Sequence, residues 1–184
     1  MVARDGGGAF RLGPRLTELA ARADGGLELG SLAGPVLARL HERTGESAQL
    51  YVRSGDQRLC VAARDASTGL RDSVPVGAVL PLDAGSGGKV LLAWSDDAAR
   101  FPAVPPTELA AIRRRGWAAS IAEREAGVAS VSAPVLVAAG ALIGAVCVSG
   151  PVSRLGQEPG RLLAREVAAA AGELAAVAAA AARS

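Results

Sequence analysis

Histidine, cysteine and aromatic residues are scarce in this 184-residue chain. It has one histidine, His41, and two cysteines, Cys60 and Cys147, far apart in sequence. That excludes the paired Cys/His spacings of zinc sites, and neither a metal nor a cofactor is expected. Two isolated thiols exclude a disulfide framework and fit a reduced, cytoplasmic setting. Aromatics make up only 3% of the residues, so aliphatic side chains must form the core. Neither sign of charge dominates: 20 Arg plus Lys against 18 Asp plus Glu leave a net +2. A surface that grips duplex nucleic acid carries a stronger basic excess, so the composition argues against self-sufficient DNA binding. Met1 is followed by Val-Ala-Arg-Asp and three glycines rather than an apolar stretch, so no signal peptide is expected. One uncharged run, 131–150, has the length of a membrane span. Ser132, Pro134, Gly140, Gly144 and Ser149 interrupt it and valine dominates it, which predicts two buried strands and a tight turn instead. No membrane partner is expected.

Half of the chain is apolar, enough for one domain with its own core. Residues 1–12 read as strand, glycine turn and strand, too little to stand alone. A short amphipathic helix over 14–23 follows, with Asp24-Gly25-Gly26 as its stop. Leu32, Val36, Leu37 and Leu40 predict a helix over 29–43, ended by Gly45. Strands are expected over 47–53 and 57–63, joined by the turn residues Ser54-Gly55-Asp56, with a third, irregular strand over 70–76 and a turn over 77–81. A glycine-rich loop, 82–88, enters a short helix. Thr107 is read as the cap of a helix that Gly116 stops. Strands over 117–122, 128–137 and 141–149 and a long alanine-rich helix over 158–182 complete the chain. Hairpin connections predict an α+β fold with a largely antiparallel sheet and helices on its faces.

Two features bear on chemistry. Ser86, Gly87 and Gly88 at a helix N-terminus expose backbone N–H groups that favour an anion, with Lys89 adding charge nearby. A tight turn whose glycines only satisfy backbone geometry is an equal reading. In the hairpin, a two-residue turn at Ala139-Gly140 sets Ser130 opposite Ser149 and Ser132 opposite Cys147, on one face of an otherwise apolar pair. Buried hydroxyls need partners, so this row points to water or a ligand. A three-residue loop would slip the register and disperse it, and a small-residue patch beneath a helix is the bland alternative. Trp94 and Trp117 are read as core by default, and His41 as a surface residue. Three arginines, 113–115, suit a helix C-terminus. A hydrolase using Ser130 or Cys147 lacks a neighbouring general base.

From about Phe10 onward the chain resembles the isocitrate-lyase-regulator (IclR) type of bacterial transcription factor. The resemblance is carried by Phe10-Arg11-Leu12-Gly13-Pro14, Thr44-Gly45-Glu46-Ser47-Ala48, Val76-Gly77-Ala78-Val79-Leu80-Pro81-Leu82, Gly88-Lys89-Val90-Leu91-Leu92-Ala93, Arg114-Arg115-Gly116-Trp117, Glu123-Arg124-Glu125-Ala126-Gly127-Val128 and Val148-Ser149-Gly150-Pro151 in that order. The wording is similar to actinobacterial members that control leucine and other amino-acid biosynthesis genes. The resemblance implies that 1–12 end the wing of a winged helix-turn-helix, that 13–26 are a linker helix, and that 27–184 are a GAF- or PAS-like effector-binding domain. It implies that the DNA-reading helices are absent from this sequence and that the chain forms homodimers or homotetramers. Its partner would be a small organic acid or amino-acid-related effector, with no enzymatic activity. By position, the effector would be held by Ser86 and Gly87 in the loop, Ser120 on the strand after Trp117, Ser130, Cys147 and Ser149 on the hairpin, and Leu70 and Asp72 before the loop. Ser120 stands where relatives commonly carry Asp, and the loop after Trp94 is shorter than usual, which implies a less acidic, more open pocket. A structural dimerisation domain with a collapsed pocket is the rival reading.

Overall fold

The computed structural model describes residues 2–4, 10–12, 24–66 and 71–183. Strands β1 (Val2–Arg4) and β2 (Phe10–Leu12) pair antiparallel, Val2 opposite Leu12. The glycine turn between them and the helix expected over 14–23 lie outside the described residues, as does Leu70.

Helix α1 (Asp24–Thr44) starts before the expected Leu29, and Asp24, Gly25 and Gly26 form its first turn rather than the stop of another helix. Propensity is a weak prior that packing overrides. Leu29, Ala33, Val36, Leu37 and Leu40 are all buried, and a Cβ at Gly30 would stand 2.6 Å from the Val61 carbonyl oxygen. The sheet thus receives the helix from Leu29 onward. His41 is half-buried in the last turn, its Nδ1 2.8 Å from the Glu46 carbonyl oxygen, not free on the surface.

Strands β3 (Ser47–Ser54), β4 (Gln57–Arg64), β5 (Val79–Pro81), β6 (Ala118–Ile121), β7 (Val128–Leu136) and β8 (Leu142–Pro151) form one sheet in the order β5-β4-β3-β8-β7-β6. Every pairing is antiparallel. The third strand comes at Val79–Pro81, where a turn was expected, and residues 71–76 form no regular strand. Two backbone bonds, Gly77 N–H to the Cys60 carbonyl (2.8 Å) and Cys60 N–H to the Ala78 carbonyl (2.9 Å), bring the chain alongside β4 before the ladder begins.

Helix α2 (Ser86–Ala93) lies on one face of the sheet with α3 (Pro106–Arg115). Pro105, not Thr107, occupies the N-cap position of α3, and Pro106 fills its first turn at no cost in N–H bonds. Gly116 ends the helix at φ +77°. After the short α4 (Val152–Leu155), α5 (Pro159–Ala181) covers the other face together with α1. Neither tryptophan is fully buried; Trp117 lies under the Arg115 guanidinium, 4.2 Å from Cζ to ring centroid.

Alternation sorts the side chains between two cores. Leu50, Val131, Val135, Val146 and Val148 pack with Leu37, Leu40, Leu163, Val167 and Leu174 under α1 and α5. Tyr51, Cys60, Ala118, Ala145 and Cys147 pack with Val90, Leu91, Leu92, Leu109 and Ile112 under α2 and α3. Each buried Leu or Val contributes roughly 1.5–3 kcal/mol. Central strands covered on both faces read as continuous apolar runs, which accounts for the uncharged stretch 131–150.

The β7–β8 register has Ser130 opposite Ser149 and Ser132 opposite Cys147, as expected, but by a different route. The turn is the three-residue 3-10 segment Ala138–Gly140, closed by Val137 N–H to the Ala141 carbonyl. Alone it would slip the register by one. Val135 pairs with Gly144 and Leu136 with Leu142, so Ile143 is bulged out and restores it. Among the described residues, no helix is long and apolar enough to cross a membrane.

Candidate functional site

The hydroxyl row meets the glycine loop. Gly85 stands at the N-cap position of α2 with φ +83°, a conformation that favours glycine, and it turns the chain so that Ser86 points at the sheet. Ser86 Oγ is 2.7 Å from Ser130 Oγ, 2.8 Å from Ser132 Oγ and 3.9 Å from Cys147 Sγ. Ser120 Oγ lies 2.8 Å from Ser130 Oγ and accepts the Ser86 N–H at 3.2 Å. The strand pairings Ala118–Ser132 and Ser120–Ser130 put β6 in line with the hairpin row. Ser149 Oγ donates to Gln49 Oε1 at 3.2 Å, and Gln49, wholly buried, has no partner for its Nε2.

Seven expected residues, Asp72, Ser86, Gly87, Ser120, Ser130, Cys147 and Ser149, line one cavity together with Tyr51, Arg58, Arg124 and Glu125. Its volume is about 20 Å³, room for about one water molecule. The pocket is therefore narrow, and its charged lining sets Asp72 and Glu125 against Arg58 and Arg124. The serines satisfy one another instead of facing a vacancy.

The expected electrostatics are also rearranged. The carboxylate at the N-terminus of α2 is the protein's own: Glu123 Oε2 accepts the Gly85 N–H at 3.0 Å. Lys89 does not add charge to the cavity. Its Nζ is paired with Glu108 at 2.8 Å and with Glu123, on the far side of α2. Gly87 and Gly88, the second and third residues of the helix, keep amides without an intrahelical acceptor. Arg124, adjacent to Glu123, donates to Asp72 Oδ1 at 2.6 Å across the cavity mouth. Burial, the largest single influence, opposes the charge of Arg124, but the bond to Asp72, the Asp72 charge and the nearby Tyr51 and Glu125 together hold the guanidinium pKa up. Ala122, just before this pair, has φ +54°, which costs about 1 kcal/mol for a non-glycine residue. Beyond Glu123 lies an open groove of about 630 Å³ lined by Lys89, Glu108, Trp117 and Ile121, with Ser120 lining both spaces.

Sequence reasoning missed Tyr51, Arg58 and Arg124. Arg58 sits in β4 beside the exposed Gln57 and Asp56, and nothing in the pattern separates it from a solvated arginine. Its side chain instead folds over the loop, Nη1 donating to the Ala84 carbonyl at 2.6 Å and to the Pro81 carbonyl. Hydrolytic chemistry has no footing here. Burial, above all, pushes the Cys147 thiol up from its ordinary value, and the only histidine is on α1.

The profile of the bacterial transcriptional regulator IclR C-terminal domain matches residues 22–104 and 106–176. The HTH-type transcriptional regulator BhcR of Paracoccus denitrificans is 32% identical over 141 residues, 67% of this chain and 50% of that protein. The HTH-type transcriptional repressor AllR of Salmonella paratyphi A is 25% identical over 146 residues, 70% of this chain and 54% of that protein. Among solved structures, RHA06195 from Rhodococcus sp. RHA1 superposes with a TM-score of 0.77 at 28% identity, covering 97% of this chain and 79% of that one. The chain spans about half the length of the curated relatives it matches.

Proposed function

Since the chain belongs to the IclR family of bacterial transcriptional regulators and folds as its C-terminal effector-binding domain, we propose that a small organic acid or amino-acid-related effector docks between the glycine loop and the hydroxyl row. The observation that carries this reading is the convergence of Ser86, Ser120, Ser130, Cys147 and Ser149 on one cavity. Five small polar groups in one buried cavity wall cost packing energy that an all-apolar wall would not. A bound polar ligand repays it by taking over their mutual hydrogen bonds.

In this reading Asp72 edges the mouth, Ser86 and Gly87 bind from the loop, and the hairpin groups bind from the sheet. A ligand larger than one water requires the Glu123–Arg124 segment to withdraw. Linkage then converts binding into regulation: a ligand that prefers one arrangement of a homodimer or homotetramer shifts the population toward it. DNA affinity would follow through a winged helix-turn-helix of the cytoplasmic whole regulator, with residues 1–12 its last strands and a linker between them and α1. The narrower assignment, to genes of leucine-type amino-acid biosynthesis, rests on the wording of the sequence segments. The relatives named above are transcriptional regulators, not enzymes.

A thermal-shift screen of 2-oxo acids, branched-chain amino acids and their biosynthetic intermediates tests the reading. At least one should raise the melting temperature, and Ser130→Ala should abolish its effect. The small cavity volume favours a second reading, a dimerisation domain whose pocket has closed. Under it no compound stabilises the protein, and Ser130→Ala changes stability alone.

A further inference from the structure

Among the described residues, the buried charges are paired, with one exception. Lys89, 6% exposed, meets Glu108 and Glu123. Glu46, 4% exposed, meets Arg154 through two bonds of 2.6 and 2.7 Å. Asp72 meets Arg124. Arg58 is 3% exposed, and among the described residues no carboxylate lies within salt-bridge distance of it. Its compensation is the Pro81 and Ala84 carbonyl oxygens and the Tyr51 ring, 5.1 Å from Cζ to centroid. Its Nε is buried without a partner.

The surroundings add to the imbalance. A Cβ at Gly85 would lie 3.1 Å from Arg58 Nη2, and one at Gly88 would lie 2.5 Å from Nη1. The guanidinium is therefore pressed against the first turn of α2, whose dipole end is itself positive. Nearby carboxylates are spoken for: Asp72 by Arg124, and Glu123 by Lys89 and the Gly85 amide. Arg58 and the first turn of α2 meet on one cavity wall, beside Ser86 and Gly87; the lining carboxylates, Asp72 and Glu125, pair with Arg124, and neither reaches Arg58. Burying an unpaired charge is costly, and an anion in the cavity would relieve it.

We infer that Arg58 is the charge-reading residue of this cavity: a carboxylate of the ligand docks against its guanidinium, and the uncharged counterpart is rejected. This rests on the effector-site reading and deepens it by naming the residue that selects charge. Desolvation, the largest influence on Arg58, works against its charged form, and a carboxylate partner would offset that. Arginine suits the role because its planar fork matches two carboxylate oxygens.

The probe is sodium formate on the full 184-residue chain, against sodium chloride and formamide at equal concentration. A three-atom ligand binds at best with a Kd of about 1 mM, so about 50 mM is used. For a Kd of about 5 mM, at which about 50 mM is roughly ten times Kd, formate should raise the melting temperature of the wild type by about 4 °C more than chloride, with no rise from formamide. Arg58→Gln should remove the difference. Equal effects of formate and chloride on the wild type, or the same formate shift in Arg58→Gln, would overturn the inference. If Arg58→Gln does not fold, NMR of the wild type decides. Formate should move the Arg58 Nε–H resonance, assigned with Arg58→Lys, and formamide should not; an unmoved resonance overturns the proposal. A metabolite that stabilises wild type and Arg58→Gln equally would leave the effector-site reading standing and remove Arg58 from it.

Discussion

Gly88 and Gly172 are both interior helical glycines, and the same substitution at the two should have opposite signs. In open space, glycine to alanine in a helix gains about 1 kcal/mol from reduced backbone entropy in the unfolded chain. Gly172 in α5 is exposed and a Cβ there meets nothing within 4 Å. Gly172→Ala should therefore stabilise by about 0.5–1 kcal/mol, or about 2–4 °C in melting temperature. At Gly88 a Cβ would fall 2.1 Å from the Leu82 carbonyl oxygen, 2.6 Å from its carbon and 2.5 Å from Arg58 Nη1. Two of those atoms are backbone and cannot rotate away. Overpacking of this kind costs about 1–3 kcal/mol, occasionally more. Set against the propensity gain, Gly88→Ala should destabilise by about 2 kcal/mol and lower the melting temperature by about 4–8 °C. Calorimetry with urea titration on both variants reads the two signs directly, and an unchanged m-value confirms that the unfolded states match. If Gly88→Ala stabilises as Gly172→Ala does, the loop is not seated under Leu82 and Arg58, and the reasoning about the cavity wall is refuted.

Other outcomes follow from the same geometry. Ser86→Ala removes the hydroxyl that Ser130 and Ser132 share and should cost about 1–2 kcal/mol in denaturant titration; a neutral result would mean that the network is not closed. Arg154→Ala leaves the buried Glu46 carboxylate without its two strongest bonds. It should cost about 2 kcal/mol, reduced from the fully buried case because Arg154 is itself partly exposed; Glu46→Gln in the Arg154→Ala background should recover part of that loss. Burial, chiefly, pushes the Cys60 thiol up to about 12, and Cys147 shifts the same way. Above about pH 9 the unfolded thiols ionise while the folded ones stay protonated, so stability should fall as pH rises from about 9 toward 12. In the native protein at neutral pH neither thiol should react with a thiol-specific reagent until unfolding exposes it; rapid labelling of Cys147 would contradict the buried site.

The order of elements, the antiparallel class and the hydroxyl row were legible in the sequence because each depends on local periodicity. Alternation assigned Ser130, Ser132, Cys147 and Ser149 to one face, and the uncharged run 131–150 marked strands covered on both sides. The register itself was set by something periodicity does not show. A three-residue turn and a bulge at Ile143 shift the pairing by one each and cancel. The strand at Val79–Pro81 likewise depends on the sheet that receives it.

Electrostatics belonged almost wholly to the tertiary structure. The sequence marks Ser86 to Lys89 as a place for an anion, but cannot tell that Glu123, far along the chain, already reaches the Gly85 amide and draws Lys89 away. Nor can it separate Arg58, folded over the loop with no ion-pair partner among the described residues, from a solvated arginine on the same strand. A charge acquires meaning from what lies within a few ångströms of it in a medium of low dielectric. Those neighbours include residues 19 to 38 positions away, so only folding decides them.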